Sequence, residues 1–112
     1  MSEDRVLLER AAKAAGIEVH GNVLRRDGTW GLYVGDGEIG CWDVWNPLLD
    51  DGDAFRLAVK LEIDMLTDDG DGLVGTIMPD GTPGPAEPTG NDQCAALRRC
   101  VVRAAAALGD HP

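Results

Sequence analysis

The side chains in this chain best placed to do chemistry are carboxylates and tryptophans. Asp50, Asp51 and Asp53 bracket Gly52, and Asp64, Asp68, Asp69 and Asp71 follow closely. Trp42 and Trp45 precede the first group and Trp30 stands a little earlier, so aromatics sit beside acids as in an active-site loop. Such carboxylates suit a divalent cation or a basic partner. Thr67-Asp68-Asp69-Gly70-Asp71-Gly72 begins like a calcium loop. With Thr67 in first place, Gly72 falls sixth as required, but Met78 stands twelfth, where a bidentate Glu belongs. The run therefore reads as a hairpin turn. Asp50, Asp51 and Asp53 are accounted for by capping and by the positive end of a helix. No metal and no cofactor is expected.

No nucleophilic constellation stands out. His20 and His111 are the two imidazoles, and neither has a Cys or second His at ligand spacing. Cys94 and Cys100 are separated by about 240° around a helix, so they do not chelate together. With Cys41 they make an odd number, which gives no disulfide framework and suits reduced thiols in a cytosolic protein. GxxxxGK[ST], strand-borne GxGxxG, HExxH and GxSxG are absent. Gly35-Asp36-Gly37 is too short to cradle phosphate.

Charge is the feature that departs from the ordinary. The 112 residues carry a formal charge of −10. From Asp27 to Asp92 there are fifteen acidic residues and two basic ones, Arg56 and Lys60. This balance excludes direct nucleic-acid binding, which needs phosphate neutralisation. It suits solubility, a basic partner, or imitation of a nucleic-acid backbone. The N-terminus lacks the basic start and apolar run of a signal peptide, and no run approaches the roughly 20 apolar residues of a membrane helix.

The elements that must position these groups follow from periodicity. Residues 3–15 read as a helix, capped by Ser2 and stopped by Gly16. Ile17 to His20 is a short strand or connector, Gly21-Asn22 signals a turn, and 22–26 reads as an edge strand. Trp30–Val34 and Glu38–Trp45 flank Gly-Asp-Gly and predict a hairpin. Asn46-Pro47 ends the strand. Asp50 or Asp51 caps a helix to Leu61, with Ala54, Leu57, Ala58 and Leu61 packed and Phe55 and Val59 widening the face. Residues 62–65 and 73–78 make a second hairpin. The segment 79–90, with prolines at 79, 83, 85 and 88, reads as a loop. A last helix starts near Asn91 or Asp92 and stops at Gly109, with Cys94, Leu97, Val101, Ala104 and Leu108 inward and Arg98, Arg99 and Arg103 on a basic side. The expectation is one α+β domain over residues 1–112, an antiparallel sheet of four to five strands covered by three helices.

Trp45-Asn46-Pro47-Leu48, followed by the Ala- and Leu-rich helix through Leu61, resembles the phage α-β-α sandwich domain, found in small proteins of bacteriophages and prophages. The likeness covers residues 3–66 and 91–108; the Gly-rich first hairpin and the 79–90 segment depart from it. It implies no activity and no catalytic residues. It implies a phage or mobile-element setting and the cytoplasm of a bacterial host.

Together these features predict a non-enzymatic protein-binding module. Asp50, Asp51, Asp53, Asp64, Asp68, Asp69 and Asp71 would form its acidic face, with Trp45 as an anchor. The partner would be a host protein with a basic surface, and the sharpest form is an inhibitor of host defence in the manner of an anti-CRISPR. The alternatives are a ligand-binding protein or enzyme using Trp30, Trp42 and Trp45 with Asp43 or His20, and a structural accessory protein.

Overall fold

The computed structural model describes residues 3–24, 26, 28, 30–35 and 43–109, with the backbone alone for Asp43. The expected cap Ser2, the Asp36-Gly37 part of the first turn, Cys41, Trp42, the Asp43 side chain and His111 lie outside the described residues. In chain order the elements are α1 (Glu3–Ala14), β1 (Val19–Leu24), β2 (Trp30–Val34), β3 (Asp43–Trp45), α2 (Asp51–Leu61), β4 (Asp64–Leu66), β5 (Leu73–Ile77), β6 (Pro83–Pro88) and α3 (Gln93–Gly109).

The helices follow the predicted signals. Gly16, at φ +70°, closes α1: its N–H donates to the Lys13 carbonyl and that of Ile17 to Ala12. This paired closure satisfies carbonyls that a helix end leaves open. α2 ends the same way, with Glu62 in the left-handed conformation where α1 uses glycine. Asp92 starts α3 by accepting from the Ala95 N–H at 3.1 Å.

The sheet differs from expectation. The fold is α+β with three helices, but its strands form two separate antiparallel sheets of three, ordered β1-β2-β3 and β4-β5-β6. β2 pairs antiparallel with β3, Leu32 with Trp45 and Val34 with Asp43. β3 is the last three residues of the predicted Glu38–Trp45 strand; its earlier part, Glu38 to Trp42, lies outside the described residues. The second predicted hairpin forms, pairing Met65 with Thr76. β3 and β4 have three residues each and do not pair with one another, so the sheet is cut where α2 intervenes. Gly21-Asn22 is not a turn. It lies inside β1, where the register shifts between Val19 and Gly21, and Gly21 takes φ +141°. The glycine is a bulge rather than a reversal.

The predicted 79–90 loop is also corrected, because Pro83–Pro88 is a strand. It lies at the edge of its sheet, where prolines remove no shared hydrogen bond. Its register shifts opposite Gly75 and Ile77, and there the Thr76 hydroxyl donates to the Pro85 carbonyl at 3.0 Å.

α3 is the central element. It packs against α1, α2 and all three strands of the second sheet. Cys100, Val101, Val102, Ala104, Ala105 and Ala106 are buried along it. The main core cluster joins Leu8 and Ala11 of α1, Leu32 and Trp45 of the first sheet, Leu57 of α2 and Val101 of α3. Gly109 is the last described residue of α3. A β-carbon there would overlap the backbone carbonyl of Arg10, so glycine allows α1 and α3 to touch. Among the described residues no helix is long and apolar enough to cross a membrane.

Candidate functional site

The junction between β3 and α2 shows what its acids do locally. Asn46 is buried and fully engaged. Its Nδ2 donates to the Trp30 carbonyl at 2.7 Å, and its Oδ1 accepts from the Leu48 N–H at 3.0 Å. Its own N–H donates to Asp53 Oδ2 at 3.0 Å, while Asp53 Oδ1 accepts from Arg56 at 2.8 Å. Asp50 caps α2, accepting from the Asp53 N–H at 2.8 Å. Asp51 pairs with Arg98 Nη1 at 2.6 Å, and Arg98 Nε reaches the Leu48 carbonyl at 2.8 Å. These three aspartates thus hold the chain's own backbone and cations. Trp45 is 7 % exposed within the core cluster, which removes it as a surface anchor. Pro47, behind it, is also fully buried.

The second acidic group lies between β4 and β5 and is only partly committed. Asp68 Oδ1 accepts from the Gly70 N–H at 2.7 Å and the Gly72 N–H at 3.2 Å, and Oδ2 accepts from the Thr89 hydroxyl at 2.6 Å. The Thr89 bond first, then the Gly70 amide, holds the Asp68 carboxyl below its ordinary value, because both favour the charged form. Asp71 accepts from the Leu73 N–H at 3.1 Å. Oxygens of Asp68, Asp69 and Asp71 lie within 4.8 Å of one another. That proximity would suit a cation, but these turn bonds explain the positions of Asp68 and Asp71 without one. Asp64 and Asp69 are exposed, and among the described residues their side chains have no hydrogen-bond or ion-pair partner.

Two concavities flank α3. The first is a cleft of about 400 Å³ lined by Glu3, Val6, Leu7, Arg10, Glu87, Arg99 and Arg103. Two of its arginines are paired: Arg99 with Asp4 at 3.1 Å, also approaching Glu87 at 3.9 Å, and Arg103 with Glu87. The second is a groove of about 280 Å³ lined by Asp51, Ala54, Phe55, Met65, Cys94, Leu97 and Arg98. The predicted basic side of α3 is therefore divided. Arg98 turns to α2, while Arg99, about 100° further round, turns to α1 and β6.

Phe55 and Val59 do not widen the packed face of α2 as predicted; they are 59 % and 62 % exposed. α3 and β4 cover only one side of that helix, and its apolar stripe is broader than its cover. Cys94, expected inward, is exposed at the groove, whereas Cys100 is buried with its thiol 3.7 Å from the Val74 carbonyl. Desolvation pushes the Cys100 thiol above its ordinary value, which suits a core residue rather than a nucleophile. His20 lies on β1, 3.9 Å from Glu18. Trp30 packs against the core and Trp45 is inside it.

The sequence reading did not anticipate Asn46, Arg98, Phe55 and Met65 in these roles. A signal existed for Asn46, an amide between a buried Trp and a Pro. For Phe55 it lay in the excess width of the apolar stripe. Comparison of the chain with protein-family models, curated proteins and solved structures gives no match.

Proposed function

We propose that the protein is a non-enzymatic binding module whose partner presents a basic surface. The supporting observation is the exposed pair Asp64 and Asp69, which have no internal partner among the described residues in a chain of net charge −10. Carboxylates that hold no internal cation leave their field to solvent and to an approaching protein. Such a field raises association rate and selects partners by sign. In its sharper form the partner is a host nucleic-acid effector, and the module covers its phosphate-binding groove in the manner of an anti-CRISPR. The setting is then a phage or mobile element in a bacterial cytoplasm, as the Trp-Asn-Pro resemblance implies.

Asp50, Asp51 and Asp53 hold the β3–α2 junction and α3, so changing them confuses folding with binding. The clean test exchanges Asp64 and Asp69 for Asn and captures partners from host lysate. The expected partner is lost from the double variant, is displaced by DNA, and elutes between about 50 and about 500 mM salt. Capture unchanged over that range, or unchanged by the double exchange, would sink the electrostatic form.

A further inference from the structure

We propose that the groove between α2, β4 and α3 receives one large apolar side chain carried by a basic segment of the partner. This rests on the function proposed above and adds where and how the partner is gripped.

Three observations converge. The groove walls are apolar side chains left at the surface: Phe55 at 59 % exposure, Met65 at 37 %, with Leu97 and Ala54 behind them. Val59, one turn beyond Phe55, extends the same stripe. Single exposed apolar residues need no explanation, but a contiguous set lining a concavity marks a contact site. The volume of about 280 Å³ is room enough for one large side chain.

The rim then selects the occupant by charge. Arg98 is the one cation lining the groove, and Asp51 pairs with it. The Asp68 N–H donates to Gln93 Oε1 at 2.9 Å, which ties the Asp68–Asp71 turn to the start of α3 beside Cys94. Asp92 caps the same helix two residues before Cys94. Among the described residues Asp68 and Asp92 are bonded only to neutral donors, and they stand at the start of α3 beside Cys94, so their charge favours an apolar anchor with Lys or Arg next to it. A second copy of the chain is disfavoured, because it would bring two surfaces of net charge −10 together.

The test uses short fluorescein-labelled peptides of Lys, Arg and Gly with one central residue, either Leu, Phe, Met or Ala. Fluorescence anisotropy is read against the full chain at low and high salt. The large central residues are expected to bind at least about tenfold more tightly than Ala. Phe55→Ser and Met65→Ser should each remove that advantage while leaving the salt dependence of the Ala peptide. The ε-methyl resonance of Met65 should shift with the Leu peptide and not with the Ala peptide, a readout that needs no variant. Equal affinity for all four peptides, with salt dependence intact, overturns the groove and leaves the acidic face standing. No salt-dependent binding of any peptide overturns both. Tight binding with Met65 unmoved also overturns the groove.

Discussion

On one flank of α3, Arg99 and Arg103 meet Asp4 and Glu87; on the other, Phe55 and Met65 meet solvent. Both flanks have concavities of similar scale, and both border acidic residues. On the first flank Arg99 and Arg103 have counter-charges within the chain, which makes that side of α3 a seam between elements. On the second, Asp64 and Asp69 have none among the described residues, and the apolar surface has no cover. Charge cancelled internally holds the fold, whereas charge left over is available to a partner. Composition alone merges the two, because −10 counts both kinds of carboxylate alike.

The sharpest way to break this contrast is to disturb each flank and compare stability. Gly109→Val forces a side chain into the Arg10 backbone and must part α1 from α3. The expected loss is about 2–3 kcal/mol by urea denaturation. Phe55→Ser on the other flank should cost less than about 1 kcal/mol, since the ring is already largely in water. Comparable losses would mean that Phe55 packs as core and that the groove is not a free surface. Glu87→Gln comes next in size. It leaves Arg103 with a neutral acceptor and Arg99 without its second acid, and should cost about 1 kcal/mol at low salt, shrinking as salt rises. Asp64→Asn and Asp69→Asn should leave stability unchanged or slightly raised, because neither breaks a bond.

Helix positions were legible in the sequence because their signals are local. Gly16, Asp50, Asp92 and the Ala54–Leu61 stripe each act within one or two turns. The division into two sheets was not legible, since it depends on which strands α2 separates. β6 was hidden because proline forbids a central strand but not an edge, and edge position is a property of the assembled sheet. The cluster of acids was legible, but which of them are bonded inside the chain was not. The sequence places the acids together, but Asp53 is held by Asn46 and Arg56, and Asp51 by an arginine far along the chain. Which carboxylates remain free is a tertiary fact.

A smaller effect concerns the end of α2. Glu62 closes α2 at φ 58°, a conformation that an L side chain adopts at a cost of roughly 1–2 kcal/mol. Glu62→Gly removes that strain but frees more chain entropy in the unfolded state, so the net gain should be about 0.5 kcal/mol. Glu62→Gln, which keeps the strain and removes the charge, should gain less. If Gln gains as much as Gly, crowding of negative charge and not backbone strain is the term being relieved.

The mildest prediction concerns Asp68, which belongs to the open flank yet is bonded like the closed one. The Thr89 hydroxyl and the Gly70 amide stabilise its carboxylate and lower its pKa from the ordinary value of 3.8. A pKa lowered on folding means that the unfolded chain takes up this proton first as pH falls. Its contribution to stability is therefore present above pH 3.8 and is lost as pH falls through the lowered folded value. A carboxyl-detected NMR titration should place the Asp68 midpoint below 3.8, and Thr89→Val should move it upward. Thr89→Val should also flatten the decline of stability with acid in that window. An unmoved midpoint would show that the turn amides alone hold the charge. A raised one shows that the Thr89 hydroxyl, which joins the segment after β6 to this turn, stabilises the Asp68 carboxylate beyond what the turn amides supply.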